Sequence, residues 1–115
     1  MSRKAIIKKY IDGFRRTDHA QILSCLADDV VWVLHGHKTL RGKHAFAAEI
    51  ENQAFEGHPT ISIERLIEEG DCVAVTGNGT ATKKGGERMS FVFSEVFTFA
   101  GDLVSRLDTY HVWTK

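Results

Sequence analysis

Residues Met89 to Phe99, MSFVFSEVFTF, carry large side chains at the odd positions and mostly small or polar ones at the even positions. Successive side chains of a β-strand point to opposite faces of the sheet, so this alternation predicts a strand and not a helix. The odd positions place methionine and four phenylalanines on one face, with Glu95 in their middle. A carboxyl group among apolar side chains is costly to bury, which makes Glu95 the first candidate for a functional residue.

Charge and composition exclude several classes of protein. The 115 residues include 15 basic and 15 acidic side chains, a balance that leaves no electrostatic footprint for nucleic acid or an anionic membrane. The apolar runs are too short to span a bilayer, and the basic N-terminus lacks the apolar segment of a signal peptide. Cys25 and Cys72 form no metal or redox motif and are expected to be reduced. These features predict a cytoplasmic protein with no nucleic-acid or membrane partner.

The first half of the chain has a helical pattern that ends near its only proline, Pro59. Apolar residues recur at helical spacing and predict the inner face of a first helix: Ile6, Ile7, Tyr10, Ile11 and Phe14. Asp18 and Gln21 resemble a capping box that begins a second, short helix through Leu26. A strand over residues 30–34 and the polar loop HGHKTLRG then lead to a third helix, which ends near Gly57.

The second half of the chain has a sequence pattern typical of strands and hairpins. Short glycine-containing turns separate four predicted strands: Thr60–Glu68, Cys72–Thr82, Met89–Phe99 and Leu103–Trp113. Helices followed by an antiparallel meander predict an α+β fold with the helices packed on one face of the sheet.

This order of elements resembles the nuclear transport factor 2-like superfamily, which includes ketosteroid isomerase, limonene epoxide hydrolase and SnoaL-type polyketide cyclases. The segment KYIDGFRRTDHAQILSCLADDVVW is similar in spacing to the start of ketosteroid isomerases, and FTFAGDLVSRLDTY resembles the closing hairpin of the family. The resemblance implies a single SnoaL-like domain over residues 1–115, with a cone-shaped, curved antiparallel sheet wrapped by three N-terminal helices. It also implies a deep apolar pocket and a homodimer formed through the convex sheet face.

The resemblance assigns two hydrogen-bond donors to this pocket. Glu95 falls where the isomerases carry the aspartic acid of their oxyanion hole, and Tyr10 falls where they carry the partner tyrosine. Apolar surroundings favour a neutral carboxyl, which can donate a hydrogen bond to a developing oxyanion. The general-base aspartate of the isomerases falls on Leu34, which cannot move a proton, so steroid isomerase activity itself is not expected. Strand alternation places His35 on the opposite face, unless a bulge turns it into the pocket.

The last predicted strand supplies a candidate base. Arg106, Asp108 and Tyr110 share one face, and SnoaL-like cyclases and limonene epoxide hydrolase place a catalytic aspartate at the position of Asp108. With Arg106 keeping Asp108 ionised, Asp108 would act as base and Glu95 as acid; a purely structural ion pair is the alternative. The predicted ligand-binding residues are Phe14, Trp32, Leu34, Phe93, Phe97, Arg106 and Tyr110. Epoxide hydrolysis is less favoured, because VAVTGNG lacks the Arg-x-Asp pair of that family.

The function predicted is proton transfer of the isomerase, cyclase or dehydratase kind on a small hydrophobic compound with a carbonyl or hydroxyl group. No metal or organic cofactor is expected, because His35, His37 and His44 have no carboxylate or cysteine at ligand spacing. His19, His58 and His111 are expected to be ordinary surface or interface residues. Two alternatives stay open: a binding protein that uses the same pocket without chemistry, and a protein-interaction module that acts through the sheet.

A homodimer is also expected from the patterns of the last two strands. Apolar residues are predicted on the face that the helices leave uncovered: Val92, Val96, Leu103, Leu107 and Trp113. Three helices can cover only one sheet face, so a second subunit is expected to cover the other.

Overall fold

The computed structural model describes residues 2–114 as three helices and six strands. In chain order these are α1 (Arg3–Arg16), α2 (His19–Leu23), β1 (Leu26–Leu34), β2 (Lys38–Arg41), α3 (Lys43–Glu49), β3 (Phe55–Glu69), β4 (Cys72–Lys83), β5 (Arg88–Ala100) and β6 (Leu103–Trp113). The strands form one curved sheet in the order β2-β1-β6-β5-β4-β3. The predicted α+β fold, with its N-terminal helices and curved sheet, is confirmed.

One strand pair departs from the antiparallel arrangement expected from the sequence. β1 and β6 run parallel, whereas every other neighbouring pair is antiparallel. The chain leaves the β1–β2 hairpin through α3 and enters the opposite edge of the sheet as β3. The meander from β3 to β6 then returns to β1, and parallel neighbours need a long crossover of this kind.

Helices α1 and α2 each begin directly after a residue whose side chain caps the helix N-terminus. The hydroxyl of Ser2 accepts a hydrogen bond from the backbone of Ala5, and the carboxylate of Asp18 accepts one from the backbone of Gln21. The predicted extension of α2 through Leu26 is wrong, because Leu26 begins β1, where it is fully buried and paired with Val104.

The segment between β1 and β3 differs most from the prediction. The loop HGHKTLRG contains β2, which pairs with β1 after a turn at Gly36, where φ is 79°. Helix α3 ends at Glu49 and not near Gly57, and β3 begins before Pro59. The pairing of β3 with β4 shifts register between Glu56 and Thr60, and this irregularity accommodates a proline, which cannot donate to a strand ladder.

The aromatic side chains of β5 point towards the helices. Phe91, Phe97 and Phe99 are buried on this face, here called the concave face, while Val92 is exposed on the opposite, convex face. Helix α1 lies over the concave face and is tied to β3 by a hydrogen bond from Arg15 Nε to the backbone oxygen of Ile61, 2.9 Å long. The β5 alternation therefore predicted the correct faces.

Two glycines of β4 give the phenylalanine rings room on the sheet. Gly77 lies opposite Phe93 and Gly79 opposite Phe91 in the strand pairing. A Cβ atom on Gly77 would lie 2.8 Å from Cζ of Phe93, and one on Gly79 would lie 2.6 Å from Cζ of Phe91. The rings occupy the space that side chains on β4 would otherwise fill.

No helix within residues 2–114 is both long enough and apolar enough to cross a membrane.

Candidate functional site

An open cavity of ≈ 300 Å³ lies between α1 and the concave face of the sheet. Its wall is mainly apolar and contains Tyr10, Ile11, Phe14, Trp32, Leu34, Ile50, Asn52, Phe55, Pro59, Ile61, Ala81, Phe91, Phe93, Glu95, Thr109, His111 and Trp113. An adjoining depression of ≈ 390 Å³ shares Phe14, Ile50, Asn52, Phe55, Pro59 and Ala81 with the cavity. Together they give a small organic molecule an apolar cavity that opens into a more polar depression, which includes Glu51, Glu56 and Lys84.

Six of the ten site residues named from the sequence lie in this wall. They are Tyr10, Phe14, Trp32, Leu34, Phe93 and Glu95. Phe97, expected to contact a ligand, is instead fully buried in the core. Its ring packs against Tyr10 with centroids 5.1 Å apart, so it supports the cavity wall from behind.

The three predicted site residues of β6 lie outside the cavity. Arg106, Asp108 and Tyr110 lie on the convex face. Both oxygens of Asp108 accept hydrogen bonds from the Arg106 guanidinium, each 3.0 Å long, and Nε2 of His35 lies 2.9 Å from Asp108 Oδ1. Tyr110 stacks on His35 with ring centroids 4.3 Å apart. The prediction that Asp108 faces Glu95 in one cavity is therefore wrong.

A one-residue bulge in β6 is the cause of this error. The β5–β6 hairpin begins with Ala100 opposite Leu103 and Phe99 opposite Val104, then continues with Thr98 opposite Arg106. Ser105 is the extra residue, so Glu95 pairs with Thr109, one position beyond Asp108. A shift of one residue exchanges the two faces of a strand.

The bulge left one trace in the sequence, the spacing of apolar residues in β6. Val104 and Leu107 are both fully buried, and a spacing of three breaks the period of two that an unbroken strand keeps. Leu107 and Trp113, which were predicted on the dimer face, accordingly lie on the concave face, Leu107 in the core and Trp113 in the cavity wall. Thr109, His111 and Trp113 are the wall residues that the missed bulge concealed.

A chain of two hydrogen bonds holds the Glu95 carboxyl. Trp32 Nε1 donates to Thr109 Oγ1 at 2.8 Å, and Thr109 Oγ1 donates to Glu95 Oε2 at 2.7 Å. An indole nitrogen can only donate, so Trp32 is the donor of the first bond, and the threonine hydrogen is left for the ionised carboxylate of Glu95. Oε1 of Glu95 takes no part in this chain, so a proton on Oε1 leaves both bonds in place.

Burial raises the pKa of Glu95 from its ordinary value of 4.5 to about 7, and the hydrogen bond from Thr109 opposes part of this rise. Glu95 is partly exposed because it faces the cavity, yet the protein atoms around it replace most of its hydration. Burial, and then the charge of Glu95, raise the pKa of Tyr10 well above its ordinary value, so its hydroxyl stays protonated. The wall thus presents one neutral phenol and one carboxyl that changes protonation near neutral pH.

The Arg106 guanidinium holds the pKa of Asp108 below its ordinary value. The predicted order of the two carboxyl pKa values, Glu95 high and Asp108 low, agrees with the structure. Their positions on opposite sheet faces still prevent them from acting on one ligand.

His111 is a polar residue of the wall that the sequence placed among ordinary surface or interface residues. Its ring lies 4.5 Å from that of Phe91 and 4.6 Å from that of Trp113, measured between centroids. The residue as a whole is exposed, while partial burial of its ring lowers the pKa of His111 from 6.5. The imidazole is therefore neutral at pH 7.

A family model described as a SnoaL-like domain matches residues 7–107. The chain belongs to the SnoaL-like family. No curated protein sequence matches this SnoaL-like chain significantly.

Solved structures show the same fold at low sequence identity. This SnoaL-like chain is similar to an NTF2-like protein of unknown function from Burkholderia pseudomallei, with 21% identity, a TM-score of 0.87, and 96% of this chain and 91% of that chain covered. An LEH-like epoxide hydrolase from M. tuberculosis has 17% identity and a TM-score of 0.83, with 96% and 82% covered. TerC, co-crystallised with polyporic acid, has 23% identity and a TM-score of 0.83, with 94% and 89% covered. These likenesses confirm the nuclear transport factor 2-like fold.

The SnoaL-like cavity combines an apolar wall with few polar groups. Tyr10 and protonated Glu95 are hydrogen-bond donors, and neutral His111 offers a lone pair. No cluster of three or more His, Cys, Asp or Glu side chains within residues 2–114 is arranged to hold a metal ion. The groups present in the wall can bind an oxygen atom of an apolar ligand and exchange protons with it.

Proposed function

We propose that this SnoaL-like protein is an enzyme that moves protons on a small hydrophobic carbonyl or hydroxyl compound, as an isomerase, cyclase or dehydratase does. Glu95 is its acid. The observation that carries this proposal is the Glu95 carboxyl in an apolar cavity wall, held at Oε2 by Thr109, with a pKa of about 7. An acid with a pKa near the working pH gives and regains a proton readily, and this chemistry needs no metal or organic cofactor.

The reaction begins with the ligand oxygen against Glu95 and Tyr10. When a C–H bond next to a carbonyl breaks, its electron pair forms a C=C bond and the carbonyl π pair moves to oxygen. The hydrogen bonds from Glu95 and Tyr10 stabilise the negative charge that develops there, and the carbon-bound proton passes to a base in the cavity. Return of the proton to the same carbon or to another one restores the carbonyl group.

The size and lining of the cavity support a small, ring-containing ligand. A volume of ≈ 300 Å³ is at the lower end of the range for small-molecule pockets. Aromatic side chains form much of the wall: Phe14, Trp32, Phe55, Phe91, Phe93 and Trp113. The co-crystal of TerC with polyporic acid supports an organic ligand for this fold.

The proposal is tested with 2-tetralone, an enolisable bicyclic ketone, dissolved in D₂O. Proton NMR follows the loss of its α-hydrogens with wild-type protein, with Glu95→Gln and with buffer alone. The glutamine side chain keeps an acceptor for Thr109 and a donor for the ligand but cannot give up a proton. We expect the wild-type protein to accelerate exchange and Glu95→Gln to lower that acceleration by about 10²–10³-fold.

The matched binding control is 2-naphthol, which has the shape of the enol of 2-tetralone and does not react. Its affinity should agree between wild type and Glu95→Gln within a few-fold, because both side chains present a hydrogen-bond donor. A wild-type protein that binds 2-naphthol without accelerating exchange would establish the non-catalytic binding alternative. An unchanged exchange rate in Glu95→Gln would remove Glu95 from the chemistry.

A further inference from the structure

We infer that His111 is the base of this cavity, which removes the carbon-bound proton of the ligand while Glu95 and Tyr10 hold its oxygen. This role of His111 rests on the proposed function. It gives His111 the task of general base, which the sequence had suggested for Asp108. It also narrows the substrate class to compounds that carry an acidic C–H group directly next to a carbonyl, in a ring small enough for the cavity.

The strand register places His111 beside Glu95 on one face of the sheet. Glu95 lies opposite Thr109, and Phe93 lies opposite His111, so Glu95 and His111 are diagonal neighbours across the β5–β6 pair. Diagonal neighbours in an antiparallel pair are about 7–8 Å apart. Both residues line the cavity, and a flat carbonyl compound lying along β6 can therefore meet the carboxyl with its oxygen and the imidazole with its neighbouring carbon.

Two aromatic rings position the imidazole. Phe91 and Trp113 both contact it, with interplanar angles of 30° and 68°. Phe91 itself is fixed over Gly79, where no side chain displaces it. A base that is held in place before the ligand arrives loses less conformational entropy when the reactive geometry forms.

The electrostatic setting leaves the imidazole able to accept a proton. Burial is the cause of its lowered pKa, while the pKa of Glu95 is raised to about 7. This order allows a neutral base and a protonated acid to coexist in one molecule near neutral pH. The other titratable groups that face the cavity or the adjoining depression are Tyr10, Glu51, Glu56 and Lys84.

The proposed proton transfer conserves both protons and electrons. The C–H pair becomes the C=C bond, the carbonyl π pair moves to oxygen under the Glu95 and Tyr10 hydrogen bonds, and the proton forms an imidazolium on His111. Return of that proton, or of a deuteron taken up from D₂O, to carbon regenerates both the ketone and the neutral imidazole. The step requires no oxidant, reductant or second substrate.

The test measures 2-tetralone exchange as a function of pH in wild type, His111→Gln and the control His44→Gln. His44 is an exposed residue of α3 and does not line the cavity. The wild-type rate should rise with a pKa below 6.5, as His111 becomes neutral, and fall with a pKa of about 7, as Glu95 ionises. His111→Gln should lower the rate about 10²-fold and remove only the rising limb, with 2-naphthol affinity held within a few-fold.

His111→Phe separates chemistry from packing, because it keeps the aromatic contacts with Phe91 and Trp113 but has no lone pair. It should lose exchange as fully as His111→Gln, while His44→Gln should behave as wild type. A wild-type rate, or a surviving rising limb, in either His111 variant overturns the role of His111 and leaves that of Glu95 standing. A wild-type protein that gives no exchange above buffer overturns the proposed function, and this inference with it.

Discussion

At the scale of single residues, the protonation of Glu95 results from two opposing effects. Removal of water by the surrounding protein favours the neutral acid, and the hydrogen bond from Thr109 favours the carboxylate. The first effect is the larger, so the folded protein binds this proton more tightly than the unfolded chain does. The proton is therefore linked to stability as well as to chemistry.

Glu95→Gln should change how stability depends on pH. Because the pKa of Glu95 is raised in the folded state, its stabilising contribution is present in full below pH 4.5 and is lost as pH rises through about 7. The free energy of unfolding of Glu95→Gln, measured relative to wild type, should therefore increase by about 1–3 kcal/mol between pH 4.5 and pH 8. The lower figure allows for solvent in the cavity. Urea unfolding at a series of pH values measures the difference, and parallel curves would contradict it.

Asp108→Asn should affect stability and leave catalysis unchanged. The pKa of Asp108 is lowered in the folded protein by Arg106, so the stabilisation is present above the ordinary pKa and is lost as pH falls through the folded-state value. The side chain of Asp108 is 16% exposed and that of Arg106 is 50% exposed, which weakens the pair. We expect a loss of about 0.5–1.5 kcal/mol at pH 7 and much less at pH 2.

The exchange rate of Asp108→Asn with 2-tetralone should match wild type within about twofold, since the residue lies on the convex face. A large fall in that rate with unchanged stability would restore the catalytic role that the sequence suggested for Asp108.

At the scale of elements, the two strands that build the site were not equally predictable from sequence. The two faces of β5 can be predicted from its sequence, because five large apolar side chains alternate with small and polar ones around Glu95. β6 carries apolar residues on both faces, and the extra residue Ser105 is neither glycine nor proline, so ordinary turn and bulge signals are absent. The acid could therefore be placed from local pattern, while the residues opposite it depended on a pairing register that only the folded sheet defines.

Gly77→Ala tests how β4 shapes the cavity. The added Cβ would lie 2.2 Å from the backbone oxygen of Ser62 and 2.8 Å from Cζ of Phe93, so strand β3 and a wall residue must both move. We expect a loss of about 2–3 kcal/mol in the free energy of unfolding, together with weaker binding of 2-naphthol. Asn78→Ala is the control, because Asn78 is the exposed neighbour in the same strand and points to the other face. Equal stabilities for the two variants would show that the rings do not need the glycine.

At the scale of the whole molecule, we propose a homodimer formed through the convex face. Val92, Tyr110 and Val112 are 44%, 46% and 58% exposed there, and Val92 lies opposite Val112 in the sheet. These residues form one apolar patch on the side of the sheet that the helices do not cover, which is the pattern of an association surface. The β6 bulge changes the expected membership of this patch, replacing Leu107 and Trp113 by Tyr110 and Val112.

Sedimentation at micromolar concentration should give a species of twice the 12.9 kDa chain mass. Val112→Lys should shift it towards the monomer, because each subunit would bring a charge to the shared apolar surface. The matched control is Ala48→Lys, at an exposed residue of helix α3 and not on the convex face. A wild-type protein that sediments only as a monomer would contradict the proposal.

The protonation state of Glu95 underlies both the acid in the proposed reaction and the linked stability. A carbon-13 NMR titration of the side-chain carboxyl groups measures it directly, with Glu95→Gln identifying the resonance. We expect a midpoint of about 7 for Glu95, well above that of Asp108. A midpoint near the ordinary value of 4.5, or at or below that of Asp108, would contradict it.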